Sequence, residues 1–247
     1  MELQGQTALI TGGGTGMGRA IALLLAQEGC AVAVNYSRSH DEAVSTRNEL
    51  SDMGVNALAV QADVTDPAQV ASMVQHVTDE LGPISILICS AGTTVHVPFA
   101  DLDGVNAGDW DRVMAVNVKG AFLAAQAVVP GMRTQGRGHI INIASSAGLR
   151  PSGSSIPYSV SKAAMIHLTR CLATGLAPEI RVNAVAPGFM RTGWWEGFPE
   201  ERLQGIEQGI PLKAAASVDD LAAGVLYMLK ADSITGATLT VDGGMSM

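Results

Sequence analysis

Charge and aromatic rings are both scarce in this 247-residue chain: 15% of its residues are Asp, Glu, Lys or Arg, and 4% are Phe, Trp or Tyr. The charges sum to −8, which argues against nucleic acid as a partner. Cysteine occurs three times, at Cys30, Cys89 and Cys171, with no CxxC pair and no Cys/His cluster. That spacing indicates neither a zinc site nor a disulfide framework, so no metal is expected. All three sit in apolar stretches and read as buried, free thiols of a reducing cytosol. The opening MELQGQTALITG has no basic region leading into an apolar core, so no signal peptide is expected. The longest run without Asp, Glu, Lys or Arg, Leu81 to Ala100, is broken by Gly82, Pro83, Gly92, His96 and Pro98 and makes a poor membrane span. These absences predict a soluble cytoplasmic protein with no membrane partner.

What is abundant is small or apolar. Hydrophobic residues make up 47% of the chain and glycine occurs 28 times, enough for a sizeable core with tight turns. Short apolar runs alternate with longer helical patterns. TALIT (7–11), CAVAVNY (30–36), ALAVQAD (57–63), ISILIC (84–89), HIINIAS (139–145), IRVNAVAP (180–187) and ATLTV (237–241) read as strands. Helices are predicted over 16–28, 41–53, 110–132, 157–177 and 218–229, with another N-capped by Asp66 and carrying Pro67 at its first position. Continuous Val/Ile/Ala strands belong where helices cover both faces of a sheet. The predicted fold class is therefore α/β: a doubly wound, Rossmann-type, seven-stranded parallel sheet with helices on both faces, in one domain over 1–247. Ligands of such sheets bind beyond the carboxyl ends of the strands.

The first strand runs into TGGGTGMG (11–18). Gly12, Gly16 and Gly18 permit a tight turn at a helix N-terminus, and the loop, with Gly14, Thr15 and Met17, can present backbone amides to a pyrophosphate. The plainer alternative is a tight turn with no ligand. At the end of the second strand, Asn35-Tyr36-Ser37-Arg38 offers no carboxylate until Asp41. An acidic residue there would hold a ribose and repel a 2′-phosphate, whereas Arg38 can fork onto a phosphate and Ser37 can donate to it. NADP(H) is accordingly preferred over NAD(H), which stays possible; an ordinary solvated Arg38 is the competing reading.

The TGxxxGxG spacing resembles the short-chain dehydrogenase/reductase family in its compact branch, the extended branch wanting glycine where this chain has Thr15. The resemblance recurs along almost the whole chain. It implies that Asp63, in Asp63-Val64, accepts a hydrogen bond from the adenine amino group, and that Ala91 and Gly92 let the backbone come close to the cofactor. Cys89-Ser90-Ala91-Gly92 departs from the family's Asn-Asn-Ala-Gly: Ser90 can supply one hydrogen bond, and Cys89 is a weak partner where an amide is usual. Pro187-Gly188 and Thr192 match the family's turn beside the nicotinamide, with Met190 presenting its backbone to the carboxamide.

Between Pro151 and Thr169 there is no Asp, Glu or Arg and a single lysine, in Tyr158-Ser-Val-Ser-Lys162. Positions four apart share a helix face, so the ammonium can stabilise the phenolate and fit Tyr158 for acid–base work. Alone, the pair would read as a helical tyrosine with a snorkelling lysine. Ser145 ends the fifth strand, where its hydroxyl can meet a substrate oxygen, and the resemblance prefers it to Ser146 because its Ser-x-x-Gly spacing to Gly148 matches the family. The resemblance adds Asn117, which in the family holds a water relaying protons to the lysine, and gives Lys162 the nicotinamide ribose. A related enoyl-reductase spacing would need lysine at Met165, so carbonyl chemistry is preferred.

Phe189, Trp194, Trp195 and Phe198 gather four of the seven Phe and Trp residues in one short segment. They read as a substrate lid near 189–210 with Trp194, Trp195 and Phe198 against a partly apolar substrate, or else as a patch that buries itself. The leading expectation is an enzyme that reduces a small ketone, such as a 3-oxoacyl compound, to an alcohol. An alcohol, sugar or steroid dehydrogenase and a non-catalytic NADP sensor are the alternatives. The resemblance implies a homotetramer or homodimer through the two longest helices.

Overall fold

The protein is described as a computed structural model covering all 247 residues. Seven strands form one parallel sheet: β1 (Thr7–Thr11), β2 (Ala31–Tyr36), β3 (Ala57–Gln61), β4 (Ile84–Cys89), β5 (Gly138–Ile143), β6 (Ile180–Pro187) and β7 (Thr238–Val241). Their spatial order is β3-β2-β1-β4-β5-β6-β7. Strand order therefore reverses between β1 and β4, and a crevice opens there at the carboxyl ends. The doubly wound α/β class expected from the alternation is the observed one.

Alternation along each strand splits the core in two. On one face a cluster of 25 buried residues joins Leu9 and Leu87 to α3 (Pro67–Leu81), α5 (Gly120–Thr134) and α6 (Ile156–Leu176). On the other, 23 buried residues join Ile10 and Ile88 to α1 (Gly16–Gln27), α2 (His40–Asp52) and α8 (Val218–Lys230). Burial on both faces is why β4 and β5 are rich in Ile and buried at every position, Ser85, His139 and Asn142 included. Asp66 caps α3 as expected, its carboxylate accepting from the Ala68 and Gln69 amides, with Pro67 in the first turn where a missing N–H costs nothing.

Three expectations need correction. The helix placed over 110–132 is α4 (Ala107–Met114) and α5 joined by a π turn, Ala115–Lys119, in which the Gly120 amide reaches back to the Ala115 carbonyl. The apolar periodicity runs on through the wider turn, so the pattern hid it. The segment expected to be a substrate lid, to which no helix was assigned, contains one, α7 (Glu200–Gly209). Of the cysteines, Cys30 and Cys89 are buried but Cys171 is exposed. The stretch Ala107–Thr134 is also long and apolar enough to cross a membrane, and its inner side packs in the core described above.

Candidate active site

The site begins where β1 turns into α1. Gly12 has φ +64°, and a Cβ there would lie 2.9 Å from the Ala91 Cα; a Cβ on Gly18 would strike the Gly12 carbonyl oxygen. The loop is thus a glycine cradle: main chain packs so closely at Gly12 and Gly18 that neither position can carry a side chain. Thr11, which the sequence reading left inside the strand, ties β1 to β4 at this point: its Oγ1 accepts from the amides of Ser90 (3.1 Å) and Ala91 (3.2 Å). A polar residue closing a buried strand needs a partner, but its sequence says nothing of which one. This bond also makes up for Cys89, whose thiol has only a long contact, 3.9 Å, with the Ala121 carbonyl.

Beyond the cradle lies a groove of about 870 Å³. Gly12, Gly14, Thr15, Gly16, Met17 and Gly18 line its floor, and Asn35, Ser37 and Arg38 its far end. Asp63, Val64, Ser90, Ala91 and Gly92 line the wall, and Thr192 and Trp194 the lid side. Thr65, Thr93, Arg112 and Glu196 line it too, and no motif pointed to them. The N-terminus of α1 faces the cradle, so unpaired amides favour an anion there. Asn35 has a second task. Its side-chain amide donates to the carbonyls of Ala62 (3.0 Å) and Tyr36 (3.2 Å), bracing the ends of β2 and β3. Asp63 Oδ1 accepts from the Thr65 amide and hydroxyl, both at 2.8 Å. Ser37 and Arg38 are exposed, and Arg38 has no ionic partner. Pro187, Gly188 and Met190 do not line the groove: Gly188 backs onto Asp242, and the Met190 side chain is buried in the core beneath α1.

The four residues of the expected tetrad converge beside the end of β5. The π turn places Asn117, which is 0% exposed. Its side chain clasps Thr93, accepting from the amide at 2.7 Å and donating to the carbonyl at 3.0 Å, and it donates to Ser161 Oγ at 2.9 Å. Ser161 in turn donates to the Tyr158 carbonyl, 2.7 Å. Ser145 Oγ accepts from the Ala147 amide, 3.1 Å, and lies 3.5 Å from the Pro187 carbonyl. Ser155 caps α6 through the Tyr158 amide. Lys162 is 5% exposed, its Nζ 5.7 Å from the Tyr158 ring centre and donating to the Ile143 carbonyl at 2.8 Å. Burial pushes the Lys162 ammonium down to about 8. Burial also pushes the Tyr158 phenol up, and the hydrogen bond with Ser145 pulls part of the way back.

The lid aromatics divide. Trp195 and Phe198 pack with Phe189, Leu203 and Ile210, and both rings meet His96, at 5.9 and 4.9 Å between centres. That is the self-burying arrangement. Trp194 instead stands edge-on to Tyr158, 5.8 Å between ring centres.

Comparison with known proteins decides what this constellation belongs to. A family model described as short chain dehydrogenase matches residues 6–202. The chain is a member of that family. It is 38% identical to 3-oxoacyl-(acyl-carrier-protein) reductase FabG of Staphylococcus epidermidis, over 98% of this chain and 99% of that one. A short-chain dehydrogenase/reductase of Serratia marcescens superposes with a TM-score of 0.92 at 34% identity, covering 100% of both chains. A blue fluorescent protein from a metagenomic library, in complex with NADPH, superposes with a TM-score of 0.89 at 34% identity, again over 100% of both. The protein is therefore an oxidoreductase of the short-chain family that uses a nicotinamide cofactor on small molecules. The glycine cradle and the α1 N-terminus suit the pyrophosphate of such a cofactor.

Proposed function

We propose that this dehydrogenase is an NADPH-dependent carbonyl reductase acting on a partly apolar ketone, of which a 3-oxoacyl thioester is the leading candidate. The convergence of Ser145, Tyr158 and Lys162 at the end of β5 carries the reading. Gly12, Gly16 and Gly18 would cradle the pyrophosphate, Asp63 and Val64 the adenine, and Lys162 the nicotinamide ribose. When bound, the dihydronicotinamide supplies the hydride. Ser145 Oγ and the Tyr158 hydroxyl hydrogen-bond the substrate carbonyl oxygen and polarise it. Tyr158, kept protonated by its burial, gives up its proton as the alkoxide forms. The Lys162 ammonium stabilises the phenolate left behind, and Asn117 holds the Thr93 loop and α6 in register around it.

The preference for NADPH is supported by the free Arg38 and the lack of a carboxylate at the far end of the groove. It is also supported by the NADPH named in the complex of the metagenomic relative. We further infer self-association through α4, α5 and α6, because Trp110, Phe122 and Val160 leave large apolar surfaces exposed there. One folded unit working in the cytoplasm, with a lid over 189–210, completes the reading. The test is oxidation of NADPH and of NADH over a panel of ketones and 3-oxoacyl thioesters. Turnover with NADPH in excess of NADH is expected; turnover with NADH alone would remove the cofactor assignment, and none with any ketone would remove the substrate class.

A further inference from the structure

None of the tetrad side chains opens onto the groove, which closes at Gly92, Thr93 and Trp194. The segment that closes it crosses from the cradle to the tetrad. The Thr192 side chain lies 3.8 Å from where a Cβ on Gly16 would sit. Two residues on, the Trp194 ring meets Tyr158 edge-on. Gly92 shows how narrow the remaining passage is: a Cβ there would be 3.8 Å from Trp194 Cη2, 3.8 Å from Lys162 Nζ and 3.5 Å from Asn117 Oδ1. The Trp194 ring thus occupies space beside Tyr158, on the side where the groove reaches Gly92 and Thr93. Hydride transfer with proton donation needs the nicotinamide end of the cofactor in that space, because the Tyr158 hydroxyl and the hydride must reach adjoining atoms of one carbonyl.

We propose that Trp194 is a gate, its indole closing the passage from the cofactor groove to the tetrad and leaving Tyr158 when the nicotinamide end enters. This rests on the reading of the groove as a dinucleotide site. The surroundings suit a moving side chain. Trp194 is 40% exposed and stands outside the Phe189–Trp195–Phe198 cluster that anchors the rest of the lid. Gly193 precedes it, and Gly197, at φ +81°, follows in a conformation that only glycine adopts freely. An enzyme closed in this way binds its cofactor less tightly by the fraction of time it is open, and the loss falls only on ligands that carry the nicotinamide. The adenosine and pyrophosphate half enters without disturbing the ring.

Calorimetric affinities for NADP⁺ and for 2′-phospho-ADP-ribose, which lacks the nicotinamide, separate these cases on the wild type and on Trp194→Ala. In the variant NADP⁺ should bind about 2- to 10-fold tighter, the range expected for losing one aromatic edge contact, with 2′-phospho-ADP-ribose unchanged. In the wild type, stopped-flow tryptophan fluorescence should show a concentration-independent phase with NADP⁺ that 2′-phospho-ADP-ribose lacks. Unchanged or weaker NADP⁺ binding in Trp194→Ala, or a wild type without that phase, overturns the gate. Should neither 2′-phospho-ADP-ribose nor ADP-ribose bind the wild type, the dinucleotide reading of the groove falls first and the gate with it; should ADP-ribose alone bind, the NADP preference falls and the gate is tested with NAD⁺ against ADP-ribose, with the same outcomes.

Discussion

The two walls of the cofactor groove are built from different materials. The wall at β1 and α1 is backbone against backbone: the Gly12, Gly18 and Ala91 main chains approach so closely that no Cβ fits at either glycine. The lid wall is side chain against side chain. Its α7 is tethered by Arg191, which bridges Glu200 and Glu207 at the exposed surface, and its aromatic rings meet edge to face. A backbone cradle is fixed by the fold and recognises what every nicotinamide dinucleotide shares. Side chains in contact can rearrange where packed main chain cannot, although Arg191 grips each of the two carboxylates through two nitrogens. On the proposed reading, shared chemistry belongs to the rigid wall, and access and substrate choice to the soft one.

Gly18→Ala should give the largest effect among changes that probe this contrast. The added methyl collides with main chain that cannot yield, so a loss of about 1–3 kcal/mol in thermal or denaturant unfolding is expected, together with a large loss of cofactor affinity. Arg38→Ala, at the far end of the same wall, should weaken NADPH roughly tenfold by titration and leave NADH unchanged. Equal losses for both cofactors would deny Arg38 the 2′-phosphate.

A pH profile tests the tetrad between the two walls. Lys162 in the free enzyme is held down to about 8, so it is charged below that pH and neutral above it. Tyr158 is held up and stays protonated there. The kcat/KM for ketone reduction, which reports the free enzyme, should therefore fall as pH rises through about 8. A profile level through that range would mean the lysine charge is not needed. The smallest effect comes from repeating the glycine substitution in the soft wall. In α7, a Cβ on Gly205 meets nothing within 4 Å. Gly205→Ala should stabilise the protein by about 0.5–1 kcal/mol or leave it unchanged, the opposite sign to Gly18→Ala.

The same division explains what was legible in the sequence. Strands β4 and β6 have the bounds their apolar runs suggested, because burial on both faces leaves few polar positions in them: Ser85 in β4, Arg181 and Asn183 in β6. The cradle was legible because a backbone approach demands glycine. The π turn at Ala115–Lys119 was not, since one extra residue in a helical turn leaves the apolar pattern nearly intact. Helix α7 was hidden by Gly205, Gly209 and a single buried residue, Leu203. Tyr158 and Lys162 could be read from their spacing, and the family resemblance picked out Ser145 and Asn117, but the wiring of the four could not be read. That Thr11 serves Ser90 and Ala91, that Asn117 clasps Thr93, and that Lys162 donates to Ile143 are facts of tertiary contact. Nor could the aromatic cluster in the lid show that Trp195 and Phe198 pack inward while Trp194 turns to Tyr158.

The central claim is that Tyr158 delivers the proton. Single-turnover oxidation of bound NADPH by the best ketone of the panel, in the wild type and in Tyr158→Phe, tests it directly, with cofactor affinity measured alongside. The account predicts a rate about 10²- to 10⁴-fold lower in the phenylalanine variant, with NADPH still bound. A rate within a fewfold of wild type would contradict it and send the search for the proton donor elsewhere.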